Sequence, residues 1–284
     1  MQTPGWFSAL ADIRRTGLSV LAASGLLVAA SVPAARADEA PATLRTDQVT
    51  LRLVREAPAA DGSVRGALDI DLAPGWKTYW TDPGAAGIPP TIDFSKTGNL
   101  AKADLRLPAP RRFGEGFGRS NGYERPIAAA FTLTPKKGAA IGTVTASVML
   151  GVCHDICIPV QATLTAKPSD DPQAVQAAFA GLPKPNGTGA TIGPATAGPK
   201  ADTLRIPVEA PADGGRPDLF VSEPGGWYFD EPAAPERDGG AYVFTVPVLE
   251  RPPGATGAPA RVDAIFTAGR TAVEADGLSV GAGS

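Results

Sequence analysis

The chain contains two cysteines, Cys153 and Cys157, with only His154, Asp155 and Ile156 between them. A pair so close can clip a turn, exchange electrons with another thiol pair, or hold a soft metal. The flanking residues restrict its geometry. Before it, Val144, Ala146, Val148, Leu150 and Val152 alternate with other residues; after it, Ile158, Val160, Ala162 and Leu164 alternate with Pro159, Gln161, Thr163 and Thr165. Period-two patterning on both sides predicts two half-buried strands, and the three-residue break predicts a hairpin turn. Opposed residues of such a hairpin have Cα atoms about 4.5–5.5 Å apart, within reach of a disulfide. One continuous strand would place them about 13 Å apart, beyond any bridge.

A loop this short removes little chain entropy when closed, roughly 2 kcal/mol against about 4.7 for a 100-residue loop. A chain of this length buries a proper core without such a staple. Tight, exposed disulfides are also the more easily reduced ones. Redox exchange is therefore the first reading of Cys153 and Cys157, with a structural clip as the bland one. His154, the one histidine, lies between the two and makes Cys153, Cys157 and His154 an alternative Cu(I) set, since soft thiolates suit Cu(I). A solvent-exposed turn histidine is the bland reading there. Asp155 opposes thiolate formation beside it, whereas a protonated His154 favours it.

The elements that position the pair sit in a recognisable larger plan. Arg14 and Arg15 precede the apolar stretch Gly17–Ala30, and Ala35-Arg36-Ala37 offers a small-x-small cleavage site. Residues 1–37 thus read as a secretory signal peptide, too short for a confident membrane span. The Arg-Arg pair lacks the rest of a twin-arginine motif, so general secretion is expected. No later segment is long and apolar enough to span a bilayer, so a periplasmic protein that does not span the membrane is expected, in a compartment where disulfides persist. Without the leader, 23 basic and 28 acidic residues remain, a net charge of −5. An acidic chain with no basic run argues against nucleic-acid binding.

The 29 prolines and 33 glycines between short alternating segments predict an all-β architecture. Residues 38–168 form the expected first domain, with strands at Val49–Val54, Gly66–Leu72, Ile127–Thr134 and on both sides of the cysteines. Asp69 and Asp71 alternate with apolar residues and read as a solvated face rather than a catalytic carboxylate pair. Residues 169–200 read as a short helix, with an N-cap Asp, Pro172 near its first position and Gly181 as its stop, followed by a Gly/Pro-rich linker. Residues 201–284 resume alternation at Leu204–Val208, Asp218–Ser222, Tyr242–Leu249 and Arg261–Thr267. Pro207 and Pro247 there suggest edge strands or bulges.

The motifs Gly75-Trp-Lys-Thr-Tyr-Trp-Thr-Asp-Pro-Gly-Ala-Ala-Gly-Ile-Pro-Pro90, Pro108-Ala-Pro-Arg-Arg-Phe113, Gly122-Tyr123 and Gly151-Val-Cys-His-Asp-Ile-Cys-Ile-Pro159 follow one another in order. They resemble the periplasmic N-terminal region of DsbD-like thiol:disulfide interchange proteins, most closely the ScsB branch. The likeness covers residues 45 to 165 strongly and the second domain loosely. It implies an immunoglobulin-like sandwich, in the ScsB branch a tandem of two. It also implies a thiol–disulfide oxidoreductase without a cofactor, passing reducing equivalents from a membrane-embedded thiol donor to periplasmic thioredoxin-fold proteins. In the family the second cysteine bonds the partner, a role that falls on Cys157, with Cys153 resolving. DsbD proper spaces its cysteines more widely. The sequence ends at Ser284 without the family's membrane and thioredoxin domains, so either a separate donor polypeptide or a repurposed protein is expected.

By the same resemblance, Tyr79 and Trp80 lie near the cysteines and shield them, with Tyr123 and Phe113 as weaker candidates and Pro159 flanking the site; core packing is the plain alternative. Copper-delivery proteins of the Sco type share the Cys-x-x-x-Cys spacing but use a distant third-ligand histidine, which this chain lacks. Met149 could lend a thioether, though packing explains it as well. Trp227-Tyr-Phe229 is expected to anchor the second core or an interdomain contact. Phe113-Gly-Glu-Gly-Phe-Gly118 lacks the strand-to-helix context of a phosphate loop and suits a loop over the site.

Overall fold

Short strands make up almost all the regular structure, as the alternating pattern and frequent turn residues dictate. The computed structural model describes residues 40–114, 118–168, 171–198, 200, 202–211 and 215–283. The expected signal peptide and the centre of the Gly-rich 113–118 segment lie outside the described residues.

The N-terminal half contains β1 (Thr43–Arg45), β2 (Val49–Arg55), β3 (Val64–Leu72), β4 (Thr78–Tyr79), β5 (Thr91–Asp93) and β6 (Leu100–Arg106). It continues with β7 (Arg111–Phe113), β8 (Ser120–Tyr123), β9 (Ile127–Pro135), β10 (Val144–Cys153) and β11 (Cys157–Ala166). Two sheets, β1-β2-β3-β9-β6 and β11-β10-β5, share one core. Leu51, Leu53, Leu68, Phe131 and Leu133 enter it from the first sheet, and Val144, Ala146, Val148, Leu150 and Leu164 from the second. The alternation read from the sequence is thus the core-facing register. Asp69 points away from the core and pairs with its cross-strand neighbour Arg52 at 2.8 Å, while Asp71 is exposed. A third sheet, β4-β8-β7, is small and lies under the cysteine hairpin.

One helix, α1 (Pro172–Ala180), follows. Asp171 caps it by accepting a hydrogen bond from the Ala174 N–H at 3.1 Å, Pro172 opens it, and Gly181 ends it. Its Val175 and Ala178 pack on Val54, Ala67 and Ala130, so the helix covers the outer face of the first sheet.

The C-terminal half holds β12 (Lys184–Pro185), β13 (Thr191–Ile192), β14 (Ala195–Ala197), β15 (Thr203–Glu209) and β16 (Pro217–Ser222). Then come β17 (Tyr228–Phe229), β18 (Glu236–Asp238), β19 (Ala241–Glu250), β20 (Arg261–Ala268) and β21 (Thr271–Gly281). Their hydrogen-bonded order β16-β20-β21-β14-β15-β19-β17 surrounds a second core of Leu204, Ile206, Leu219, Phe229, Phe244, Phe266 and Val273. The segment expected as a linker differs from that reading. Thr191–Ile192 and Ala195–Ala197 pair with β15 or β21, and Ala190, Ile192 and Ala195 are buried in this core. Its prolines and glycines break strands into two- and three-residue pieces, which leaves no alternation long enough to read. Pro207 does not lie on an edge: it sits opposite the break between β13 and β14, where its carbonyl accepts from Gly193 N–H at 2.8 Å and no N–H is required. Pro247 lies next to a register shift between β17 and β19. Residues 39–284 cluster as one compact unit.

Candidate functional site: a disulfide at a hairpin tip

β10 and β11 run antiparallel through ten opposed pairs, from Val144 with Ala166 to Cys153 with Cys157. The two cysteines are bonded, with Cα atoms 4.1 Å apart. The turn between them is held by the His154 N–H donating to the Ile156 carbonyl at 3.1 Å. The tip is fixed from below by β4. Lys77 and Cys153 exchange both backbone hydrogen bonds, at 2.8 and 2.9 Å, and the Thr78 hydroxyl donates to the Gly151 carbonyl at 2.9 Å.

The two sulfurs occupy unequal surroundings. Cys153 is 1% exposed, whereas Cys157 is exposed to solvent. The Tyr79 hydroxyl donates to the Cys153 sulfur at 3.0 Å and lies 3.6 Å from that of Cys157. Burial pushes the Tyr79 pKa up, so the hydroxyl keeps the proton it donates. A donor aimed at a buried sulfur stabilises it as a thiolate, which otherwise suffers from burial. The Phe113 ring stands 6.2 Å from the Tyr79 ring, and the Lys77 ammonium lies 4.8 Å from the Phe113 ring centre. Ile156, 68% exposed, puts an apolar side chain beside Cys157 at the outermost point of the turn.

The other expected site residues separate into two groups. His154 and Asp155 are in the turn, paired with one another at 3.0 Å, and the histidine ring lies 5.8 Å from Trp76. Pro159 is exposed and opposed to Gly151. In the Cu(I) set of Cys153, Cys157 and His154, both sulfurs are taken up by their mutual bond. Met149 is half-buried between its cross-strand neighbours Gln161 and Thr91. Trp80 and Tyr123, by contrast, are directed away from the cysteines. Successive residues of an extended chain face opposite ways, so Tyr79 meets the disulfide while Trp80 packs with Phe220 and Ile265 of the C-terminal half. Tyr123 shares that cluster, and its hydroxyl donates to the Pro108 carbonyl at 2.7 Å. Complete burial drives its pKa well above the ordinary tyrosine value.

Lys77 and Thr78, which hold the tip, do not stand out in the sequence, although they sit within the same motif as Tyr79. Equally hidden there is the polar joint behind the small sheet. The Arg112 guanidinium donates to both Asp218 oxygens, at 3.0 and 3.1 Å, and to the Leu219 carbonyl at 2.7 Å. Arg119 pairs with Asp230 at 2.8 Å, and Asp82 accepts from the N–H of Phe229 at 2.8 Å. Burial raises the Asp82 pKa to about 6 against the opposing pull of its backbone donors and Arg112, and raises that of Asp218 as well.

An all-β framework with a disulfide at a hairpin tip, one sulfur buried and one exposed, defines a β-sandwich type of protein with a surface-accessible cysteine pair. Residues 48–169 match the family model described as Thiol:disulfide interchange protein DsbD, N-terminal, the family that the motifs in this region resemble. The crystal structure of the N-terminal periplasmic domain of ScsB from Proteus mirabilis superimposes with a TM-score of 0.65 at 20% identity, covering 85% of this chain and 98% of that one. It shows a shared fold across both halves. A conserved domain protein from Bacillus anthracis aligns at 12% identity over 79% of this chain and 75% of its own, with a TM-score of 0.21 that carries no argument. No curated protein matches the chain. Among the described residues no helix is long and apolar enough to cross a membrane.

Proposed function

We propose that this protein is a periplasmic thiol–disulfide courier, built as two tandem immunoglobulin-like sandwiches, which takes electrons from a membrane-embedded thiol donor and gives them to thioredoxin-fold partners. The observation that carries this reading is the unequal exposure of the two bonded cysteines, with Cys157 open and Cys153 sealed beneath Tyr79. A structural clip has no use for one sulfur kept open and a hydroxyl directed at the other.

In the reduced protein the Cys157 thiolate attacks one sulfur of the partner's disulfide, and the partner's other sulfur leaves as a thiolate. Cys153 then attacks the Cys157 sulfur of the mixed disulfide, releasing the partner as a dithiol and regenerating the Cys153–Cys157 bond. Two electrons pass to the partner. Recharging runs in reverse, with a donor thiolate attacking the open Cys157 sulfur and Cys153 leaving under the Tyr79 hydrogen bond.

The test is to trap mixed disulfides in cells. Cys153→Ser, which leaves Cys157 alone, is expected to accumulate a covalent complex with a periplasmic thioredoxin-fold protein. Cys157→Ser is expected to capture far less. Capture by neither variant, or a disulfide that stays oxidised in strongly reducing glutathione buffer, would overturn the courier reading.

A further inference from the structure

The cover over Cys153 has three pieces, and each is fastened on its far side to the C-terminal half. Tyr79 is followed by Trp80, whose ring meets Phe220 edge-on at 6.0 Å. Phe113 is preceded by Arg112, which is gripped by Asp218 and the Leu219 carbonyl and lies 4.5 Å over the Phe220 ring. The third piece is the loop 83–90. A Cβ on Gly87 would fall 2.7 Å from the Tyr79 ring, and one on Gly151 would fall 2.6 Å from Ile88, so this loop lies directly on both. Its root is Asp82, which accepts from the N–H groups of Gly84, at 2.9 Å, and Phe229. Its middle is tied to Arg119, whose carbonyl accepts from Ala86 N–H at 3.1 Å and whose guanidinium pairs with Asp230.

Alternation of the extended chain accounts for this coupling: side chains facing the disulfide and side chains facing the C-terminal half belong to adjacent residues, Tyr79 and Trp80 at the end of β4 and Phe113 and Arg112 in β7. The seam has far fewer buried apolar side chains than either core. Its buried apolar cluster is Trp80, Tyr123, Phe220 and Ile265, with Leu107, Ala109 and Ile127 partly buried against it, beside ionic and polar contacts. Openings of lowest free energy occur where buried apolar contacts are fewest.

We propose that the C-terminal half is a clamp that keeps Cys153 covered, so that closure of the seam leaves Cys157 as the one sulfur open to other molecules and loosening of the seam uncovers Cys153. Arg112, Asp218 and Asp82 are then positioning residues that act on the site through Phe113, Tyr79 and the loop 83–90. The role rests on the thiol-exchange reading of the disulfide: a sealed resolving cysteine cannot be captured by a second thiol, which keeps the exchange directional.

The test needs no partner, so its failure is distinguishable from failure of the courier reading. In the full chain carrying Cys157→Ser, the alkylation rate of Cys153 by iodoacetamide is measured under native conditions, with and without Asp218→Asn. Asp218→Asn is expected to speed the reaction about tenfold, the change in an opening equilibrium that follows loss of a charge-assisted hydrogen-bond pair. Asp218→Glu, which keeps a carboxylate for Arg112, is expected to stay nearer the parent rate. In the Cys153→Ser background, alkylation of the already open Cys157 is expected not to change. An unchanged Cys153 rate in both Asp218→Asn and Phe220→Leu, or an equal acceleration of Cys157, would overturn the clamp. If these variants do not fold, the urea dependence of Cys153 alkylation decides in the parent Cys157→Ser protein. A slope well below that of global unfolding supports a seam opening, and an equal slope overturns it.

Discussion

The hairpin β10–β11 of the N-terminal half and the hairpin β20–β21 of the C-terminal half end differently. In the N-terminal half, β10 and β11 keep unbroken register to the last opposed pair, Cys153 and Cys157. In the C-terminal half, β20 and β21 slip register between Val262 and Ala264 and close through Gly269 and Arg270, where Gly269 takes a φ of 57°. That second tip is a tight two-residue turn with a left-handed glycine, which is sufficient to reverse a chain. The first tip has three residues, a disulfide across its base, and a strand from elsewhere, β4, brought in to hold it and to aim a tyrosine at one sulfur. The sandwich tolerates either ending. The chemistry is an addition at one tip, which is why it must be argued from those residues and not from the fold.

The largest effect that would break the comparison is removal of the pair. Replacing either cysteine by serine is expected to abolish turnover in a reduction assay with a thioredoxin-fold disulfide, leaving the circular dichroism of the all-β fold unchanged. Retained turnover would make the first tip as inert as the second. Next come the neighbours Tyr79 and Trp80, which face opposite ways. Trp80→Ala empties the seam and is expected to cost about 3–5 kcal/mol in urea unfolding, the range for deleting a buried large aromatic side chain. Tyr79→Phe removes only the hydroxyl on the Cys153 sulfur. It is expected to slow reduction of the disulfide by a small thiol roughly three- to tenfold, as a net hydrogen bond of about 0.5–1.5 kcal/mol implies, with smaller change in stability.

Acidity acts on the seam more gently. The folded-state pKa of Asp82 lies near 6, above its ordinary value of 3.8, so the folded chain holds the proton more tightly than the unfolded chain. Its contribution to stability is therefore fully present below about pH 4 and is lost as pH rises through 6, by at most about 3 kcal/mol. Burial moves Asp218 in the same direction. Asp171, held low first by its hydrogen bond from Arg52, works in the opposite sense as pH falls below the carboxylate range. Unfolding free energies between pH 5 and 7.5 are expected to fall with rising pH in the parent and to flatten in Asp82→Asn. The same slope in both proteins would remove Asp82 as its source.

Much of this architecture is legible in the amino-acid sequence. The hairpin, the opposed cysteines, the long strands of both halves and the capped helix all follow from local rules, period-two burial and turn or cap chemistry, that act within a dozen residues. The small sheet is not legible, because β4, β7 and β8 are two to four residues long and show no alternation. Without that sheet, Tyr79 and Trp80 read as a single aromatic feature when they serve two different faces. The seam is out of reach for another reason. Arg112 and Asp218 are 106 positions apart, and Asp82 and Phe229 are 147, and a pairing at such separation leaves no trace in one sequence.

The smallest expected effect compares the two tips directly. His154 stands between the cysteines, yet its Nδ1 is paired with Asp155 and its ring lies beside Trp76. Its nitrogens have no role in the proposed exchange, where the nucleophile, the leaving group and the donor hydroxyl are Cys157, Cys153 and Tyr79. Arg270 occupies the corresponding exposed place in the second tip. His154→Ala and Arg270→Ala are therefore expected to behave alike, each changing the exchange rate by less than about twofold, the scale of an ordinary surface substitution. A selective loss in His154→Ala, absent from Arg270→Ala, would show that the turn itself takes part in the chemistry and that the two tips differ by more than their cysteines. Tight Cu(I) binding by the reduced protein, weakened by His154→Ala alone, would make the first tip a metal site instead.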